Sequence, residues 1–402
     1  MTTGSTGGLR RAAPDGIVAC VLLAFLATAG LFYVNIMPAL VAGLIDGLGF
    51  SNREAGFVGS ANVYGAACGA LIAVFLVRRL PWRRTEVVLL LVLLSLDLVS
   101  TLVTSAWPLI GLRFLHGVVG GTSVGIGLAV MARTAIPDRA FGMLLTVQYG
   151  AGGIGIMFLP GLAKNHGPEV LFLALAAFTL VTLAMLPFLA AYPPKARPSA
   201  AAAARSRAQR GPLIRTLVAV FLFQAANMGL NAFLIPLGRH YGLADAFISG
   251  TIGVANWIGA LGSIAVIWMA GRFGRTVPVA CVLLVSIAGT AAFLLSGAQA
   301  VFITANVATA IAWSFLIPYF FGMCAEFDTA GQTATLAGFF SKMGLATGPA
   351  VAALLLGQDN YPLLIGISLT GLAVCAMAVL GPARLLDGGR QEREALSRVT
   401  TG

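Results

Sequence analysis

Twelve apolar runs of about 20 residues recur along the chain and constrain its fold more than any other feature. As a helix, such a run crosses the roughly 30 Å of hydrocarbon in a bilayer. A strand of a membrane barrel would alternate apolar and polar residues over about ten positions, and these runs do not alternate. Because only 10% of the 402 residues are charged, against about a quarter in soluble proteins, we predict an all-α integral membrane protein. The predicted spans, numbered one to twelve, cover residues 17–44, 54–77, 86–105, 107–132, 140–162, 170–191, 214–238, 246–270, 277–296, 299–324, 331–357 and 362–382.

The basic residues are distributed unevenly between the loops on the two sides of the membrane. With the N-terminus placed in the cytoplasm, 20 of the 25 lysines and arginines lie in cytoplasmic segments, three lie on the opposite side and two lie within spans. This asymmetry is typical of the positive-inside rule. It predicts a multi-pass protein of a bacterial-type cytoplasmic (inner) membrane with both termini in the cytoplasm. The net charge of +11 is therefore a topology signal, and we expect the lipid bilayer, not nucleic acid, as the partner.

One break in composition divides the spans into two groups of six. Residues 192–212 combine prolines, an alanine run and basic residues without apolar periodicity, which is typical of a linker. The predicted organisation is a cytoplasmic N-terminal tail (1–16), a six-helix bundle (17–191), a cytoplasmic linker (192–212), a second six-helix bundle (213–383) and a cytoplasmic C-terminal tail (384–402).

The two groups of spans carry matching residues in the same order. The match is best between residues 59–65 of span two and 253–259 of span eight, at an offset of 194. Chance matches are common between helices rich in glycine and alanine, but four ordered matches favour a duplication. Parallel six-span repeats are typical of secondary transporters, with the binding site near the midplane between them. The other matches pair Asn35–Pro38 with Phe233–Pro236, Asp138 and Ala140 with Asp328 and Ala330, and Gly155 and Pro160 with Gly344 and Pro349.

Local motifs of the chain resemble those of the major facilitator superfamily. Arg113 and Gly117 resemble the span-four motif of this family, an arginine followed four residues later by a glycine. In the proton-coupled members of the family, this arginine has been linked to proton coupling. Residues 272–275 resemble the core of the loop motif that follows span eight, and the loop after span two is a looser version. Both copies lack the motif's acidic residue, and Leu159 precedes Pro160 where the antiporter motif has glycine, so the motifs indicate the superfamily and no subfamily. The resemblance implies twelve transmembrane helices in two pseudo-symmetric six-helix bundles and a loop motif formed by Arg78, Arg83, Arg84, Arg272, Gly274 and Arg275.

Three ionisable residues lie close together in the predicted spans three and four. A charge inside a span is costly and is by default a functional hypothesis. Asp97 lies about nine residues before the turn between the two spans and Arg113 about seven after it, so both lie about 10–13 Å from the turn. We expect them to reach one another and His116. Either Arg113, Asp97 and His116 form a proton-coupling network, or Arg113 and Asp97 are a buried ion pair that only fixes helix packing.

Lys342 is the other cation inside a span. No carboxylate lies three or four residues from it on its own helix. In a helix that lines a cavity, it would bind an anionic group of a substrate. The alternative is that its side chain extends toward the membrane interface or meets a backbone carbonyl.

Polar side chains form stripes on otherwise apolar helices. Gln224, Asn227 and Asn231 share one face of span seven. Because a buried amide without a partner is costly, such stripes face one another or a wet cavity. The alternative is that the amides hold helices together. The predicted substrate-binding residues are Tyr33, Asn35, Asn62, Gln224, Asn227, Asn231, Asn256, Asn306, Trp313 and Lys342.

Among the function classes, a secondary transporter accounts for these features best. A membrane-embedded enzyme would need clustered nucleophiles, bases or metal ligands, whereas the chain has three histidines; we expect no enzyme activity, metal or cofactor. A transporter-like sensor or lipid scramblase is a third class. Little of the sequence lies outside the spans, which argues against a signalling output. With two intramembrane cations against one acid, we predict a monomeric symporter that takes up a small organic anion with protons. The alternative is proton-driven efflux of an amphipathic or drug-like compound.

Overall fold

The computed structural model describes residues 11–14, 16–76, 81–131, 133–134, 137–193, 210–269, 273–327, 333–356 and 360–401. All regular structure in these residues is helical, and the twelve predicted spans are present. Span one contains the helices Ile17–Ala29, Phe32–Asn35 and Met37–Leu48; spans two to five are Asn52–Leu76, Trp82–Ser100, Ala106–Met131 and Pro137–His166; span six is Glu169–Met185 with a 3-10 turn at Leu186–Phe188. Span seven contains Arg210–Ala232 and Leu234–His240; span eight is Asp245–Met269; span nine is Thr276–Ala292 with a 3-10 turn at Phe293–Leu295; spans ten to twelve are Gln299–Glu326, Thr333–Leu355 and Tyr361–Thr401.

Ten of the described helices are long and apolar enough to cross a membrane unaided. Spans one and three are the other two. Span one is broken into three short helices. Span three has 19 residues, four of them charged: Arg83, Arg84, Glu86 and Asp97. These two spans depend on the rest of the bundle to satisfy broken backbone and buried charge.

Spans one and seven break at matching places, which agrees with the internal repeat. Ile36 (φ −109°, ψ 16°) and Phe233 (φ −111°, ψ 16°) have nearly the same non-helical conformation. Each lies two or three residues before a proline, Pro38 and Pro236. Proline removes a backbone donor and clashes with the preceding turn, so it kinks a helix close to its own position.

Close backbone contact between spans two and four forms the densest packing in the N-terminal half. A Cβ atom at Gly117 would overlap the carbonyl oxygen of Asn62, and one at Gly121 would overlap that of Ala66. The glycines of span four are therefore needed for two helix backbones to meet. This contact holds the side chains of span four at a fixed depth beside span two.

The two halves contact each other on the membrane side opposite the termini. The amide of Asn52 in span two donates to the carbonyl of Leu356. Farther in, the Tyr64 hydroxyl hydrogen-bonds Thr347 of span eleven over 2.9 Å. Spans five and eight meet in the same way, where the indole of Trp257 donates to the carbonyl of Gly150.

Span eleven leaves part of span two uncovered toward the side of the termini. The face of span two that carries Tyr64 continues at helical spacing through Cys68, Ile72 and Phe75. These three residues are exposed, Phe75 by 69%. Since the same face touches span eleven farther out, span eleven leaves it uncovered below Tyr64; we call this uncovered stretch the gap.

The last span extends farther than its hydropathy predicts. We predicted that span twelve ends at residue 382 and that 384–402 form a separate tail, but one helix continues to Thr401. Charged residues, beginning with Arg384 and Asp387, follow Pro382 and end the uncharged run, yet many residues of this segment favour helix. Most of the predicted linker and N-terminal tail, with the repeat residues Asp328 and Ala330, lies outside the described residues.

Candidate functional site

Arg113 and Asp97 form a buried ion pair between spans three and four. Nη1 of Arg113 donates to Oδ1 of Asp97 over 2.8 Å, and neither side chain has any exposed surface. Nη2 donates to the backbone carbonyl of Leu96 over 3.0 Å and to the hydroxyl of Ser100. The contact predicted from sequence is confirmed. Each charge is thus compensated where water is excluded.

His116 extends this pair to span two. Its Nε2 lies 3.2 Å from Oδ1 of Asp97, and its Nδ1 lies 2.8 Å from Nδ2 of Asn62. Nδ2 of Asn62 also donates to the backbone carbonyl of Arg113. Because that carbonyl can only accept, the Asn62 amide nitrogen faces His116, and Nδ1 must accept from it. The neutral ring therefore carries its hydrogen on Nε2, the nitrogen that lies 3.2 Å from Asp97.

Aromatic rings close the network toward spans one and six. The Arg113 guanidinium lies 5.9 Å from the ring centre of Tyr33 and 5.1 Å from that of Phe172. Such contacts stabilise a desolvated cation. Tyr33 and Asn62, which we predicted as substrate-binding residues, lie in this network and do not line the cavity described below.

A polar cavity of about 40 Å³ lies in the C-terminal half, against Tyr149 of span five. Five of the predicted substrate-binding residues meet there: Asn227, Asn231, Asn256, Asn306 and Trp313. Spans seven, eight and ten supply them. Convergent polar groups in a mainly apolar wall are features of small-molecule sites, and this volume has room for a few groups of the size of a water molecule.

Lys342 lies on the face of span eleven that turns toward span two. It lies 11 residues before Ala353 in span eleven, three turns away on the same face, and that face packs on Gly56 of span two. Its side chain is half-buried, and no described residue forms an ion pair or hydrogen bond with it. One residue earlier, Ser341 accepts a 2.7 Å hydrogen bond from Gln224, whose Oε1 accepts one from the Trp313 indole. This chain connects the turn of Lys342 to the cavity wall.

A sequence model of the Major Facilitator Superfamily matches residues 20–353, most of the chain. The chain belongs to the major facilitator superfamily. A comparison with curated protein sequences finds no significant match.

Solved structures of superfamily transporters share the fold at low sequence identity. The nucleoside transporter NupG is 14% identical, covers 91% of this chain and 99% of its own, and superposes with a TM-score of 0.71. A bacterial homologue of the human lysosomal transporter Spinster, in an inward-facing and unoccupied conformation, is 13% identical over 93% of this chain and 96% of its own, with a TM-score of 0.64. The human organic anion transporter MFSD10 is 18% identical over 90% of this chain and its whole length, with a TM-score of 0.64.

The superfamily loop motif after span eight is attached to the end of the last span. Gly274 has a positive φ of 64°, and the next residue, Arg275, donates its backbone N–H to the Asp387 carboxylate over 2.8 Å. The Arg275 guanidinium pairs with Glu326 of span ten. Acidic residues from two other spans thus bind this loop, whose own sequence lacks the motif's acid.

The other predicted residues lie apart from the network and the cavity. Asn35 donates to the carbonyl of Gln148 over 3.4 Å. At the start of span three, Arg83 donates to the carbonyls of Leu189 and Ala190 at the end of span six. Arg84 is exposed. Arg78 and Arg272 lie outside the described residues.

Sequence reasoning missed two groups of charged residues. Arg239, at the end of span seven, pairs at 2.7 Å with Asp46 of span one and with Asp245 of span eight, so it bridges the halves on the side opposite the termini.

Glu86 is fully buried and accepts a 2.7 Å hydrogen bond from Ser123 of span four. It corrects our count of one intramembrane acid. Sequence reasoning overlooked Glu86 because it lies at the edge of an apolar run, close to two arginines. No cluster with enough donors for a metal occurs in the described residues.

Neutralising one member of the buried pair is expected to cost more stability than neutralising both. Asp97→Asn or Arg113→Met alone leaves one buried charge unpaired, at a cost of about 3–5 kcal/mol. The double variant removes both charges and should lose much less than the sum of the single losses. Thermal unfolding of the purified protein measures this.

Arg84→Met is the control, because it removes an exposed arginine from span three, the helix that carries Asp97. It should leave the unfolding midpoint unchanged. Additive losses from Asp97→Asn and Arg113→Met would contradict a direct pair.

Proposed function

We propose that this superfamily member is a secondary active transporter that takes up a small organic anion together with protons. It works as a monomer by alternating access in a bacterial-type inner membrane, with both termini in the cytoplasm. It performs transport and no enzymatic reaction. The observation that carries the proposal is the different state of the two intramembrane cations.

The charge of Arg113 is already compensated, whereas that of Lys342 is not. Arg113 is completely buried and paired with Asp97, so a substrate has no access to it in this conformation. Lys342 lies on the face of span eleven that turns toward span two and has no partner among the described residues. A cation in that position favours an anionic ligand, because the ligand restores charge balance in a site of low dielectric. The organic anion transporter with the same fold supports this reading.

The coupling proton is assigned to the network of Asp97, Arg113 and His116. A histidine between a carboxylate and an amide can gain a proton when its surroundings change. In the described conformation the network is closed to water, since all three residues are at most 2% exposed. Transport would require movements that expose it in turn to each side.

The arrangement of the halves supports alternating access. An ion pair and a helix contact join the halves on the side opposite the termini, beside a cavity of about 730 Å³ lined by Asp46, Lys164 and Arg239, and the gap lies on the side of the termini. If the termini are cytoplasmic, as we propose, the conformation faces inward. The reverse rocking movement would have to separate Arg239 from Asp46.

Efflux of an amphipathic compound is the second candidate function. The observation that favours it is the apolar surface of span two along the gap, where Leu71, Ile72 and Phe75 are exposed. In proteoliposomes, a symporter accumulates its substrate when the outside is acidic, whereas an exchanger of protons for substrate releases it. The direction of flux separates the two.

Lys342→Met should abolish anion uptake, because methionine keeps the length of the side chain and removes the charge. Lys342→Arg keeps the charge and should retain at least part of the uptake. Uptake of radiolabelled organic anions by proteoliposomes measures both. Unchanged anion uptake by Lys342→Met would contradict the proposed anion site.

His116→Gln should uncouple transport from the proton gradient. A glutamine amide can accept from Asn62 and donate to Asp97, yet it cannot take up a proton. Accumulation driven by a pH gradient should be lost, while exchange of internal for external substrate continues. His166→Gln alters an exposed histidine and is the control. Accumulation at the unaltered level in His116→Gln would reduce the network to a structural role.

A further inference from the structure

Hydrogen bonds within the cavity wall determine which groups remain free for a ligand. Asn227 and Asn306 are only 8% and 3% exposed, and both line the cavity. Nδ2 of Asn227 donates to the carbonyl of Phe223, and Nδ2 of Asn306 donates to that of Phe302, each over 2.8 Å. A backbone carbonyl can only accept, so these contacts fix the amide orientation. Within the described part of the chain, nothing donates to the amide oxygen of either residue.

The other polar groups of span ten have also used their donors. Thr309 donates its single hydroxyl hydrogen to the carbonyl of Ala305 over 2.8 Å, so its oxygen can only accept a further bond. The single N–H of Trp313 is donated to Gln224, which leaves the apolar ring facing the cavity. Spans seven and ten therefore present three free acceptors: the amide oxygens of Asn227 and Asn306 and the hydroxyl oxygen of Thr309.

An acceptor-lined cavity binds groups that donate hydrogen bonds. A ligand without donors would leave these oxygens desolvated and unpaired, and a site built this way discriminates strongly against such a ligand. The Asn231 amide donates only a long bond, over 3.9 Å to the sulfur of Met228, and no described group bonds the amide of Asn256, so both can accept from a ligand and Asn256 can also donate. The cavity of about 40 Å³ holds a few such groups and no large ring system.

We propose that the cavity binds the hydroxyl groups of a hydroxylated carboxylate whose carboxylate faces Lys342. Binding of the carboxylate by Lys342 rests on the proposed function. Binding of the hydroxyl groups rests on the hydrogen bonds of spans seven and ten. The Ser341–Gln224–Trp313 chain places the two halves of the site side by side. The substrate class is a short polyhydroxy acid, distinct from a plain fatty acid and from a neutral sugar alcohol.

Isothermal titration of the purified full chain with three matched sets of compounds tests this inference. Each set has one carbon number: glycerate, propionate and glycerol; threonate, butyrate and threitol; gluconate, hexanoate and glucitol. At least one hydroxy acid should bind at least about tenfold more tightly than the alkanoate and the sugar alcohol of equal length. The alkanoate lacks the hydroxyl groups and the sugar alcohol lacks the carboxylate.

Three outcomes separate this inference from the proposed function. Alkanoates that bind as tightly as the hydroxy acids would overturn the hydroxyl site and leave the anion site intact. Sugar alcohols that bind as tightly as the hydroxy acids would overturn the anionic half and leave the hydroxyl site. Binding of no hydroxy acid at all would overturn the inference.

A pair of threonines in span ten supplies a matched test of the cavity wall. Thr309→Val removes one acceptor at constant shape and should weaken binding of the hydroxy acid about tenfold, with little effect on the matching alkanoate. Thr304 bonds its own helix in the same way, over 3.0 Å to Ala300, but is exposed away from the cavity. Thr304→Val should bind as the unaltered protein does. Equal affinities of the two variants for the hydroxy acid would contradict the role of Thr309.

Discussion

The cost of placing a guanidinium inside a membrane determines how the N-terminal half is built. An unpaired Arg113 would destabilise the bundle by several kcal/mol. Asp97 and Ser100 of span three neutralise and bind it, Tyr33 of span one and Phe172 of span six cover it, and Asn62 of span two binds its carbonyl. One residue thus requires four neighbouring spans in fixed positions. The glycine contacts between spans two and four supply that precision, because neither backbone can shift without losing the network.

The C-terminal half uses the same architecture for a different purpose. Asn62 and Asn256 occupy equivalent positions of the repeat, yet Asn62 is buried against His116 while Asn256 lines an open cavity. Spans one and seven kink within one residue of matching positions, so the halves share a scaffold and differ in chemistry. A closed ionisable network in one half and an acceptor-lined cavity with a free lysine in the other suit a transporter that separates proton handling from substrate binding.

Sequence alone predicted the features that depend on local pattern. Hydropathy located all twelve spans, and equal depth from a tight turn brought Asp97 and Arg113 together. The sequence did not show that Asn62 joins the network of Asp97, Arg113 and His116. The residues that flank Asn62 match those that flank Asn256, and only the helices packed against the two asparagines differ. The contact between Arg239 and Asp46 joins residues 193 positions apart, which no local pattern reveals. The end of span twelve was misplaced because hydropathy reports burial in lipid, whereas a helix can continue into water.

In the proposed transport cycle the two halves move as rigid bodies and expose the cavity alternately to each side of the membrane. Distances between spin labels, in a background without native cysteines, test it most directly. Trp107 and Gly297 are exposed on the side opposite the termini, in different halves, and Arg84 and Leu385 are exposed on the side of the termini. With gluconate or a change of pH, the first distance should lengthen while the second shortens, and the distance between Trp107 and Arg84, within one half, should stay constant. Two inter-half distances that do not move in opposite directions, or a changing distance within the half, would contradict the account.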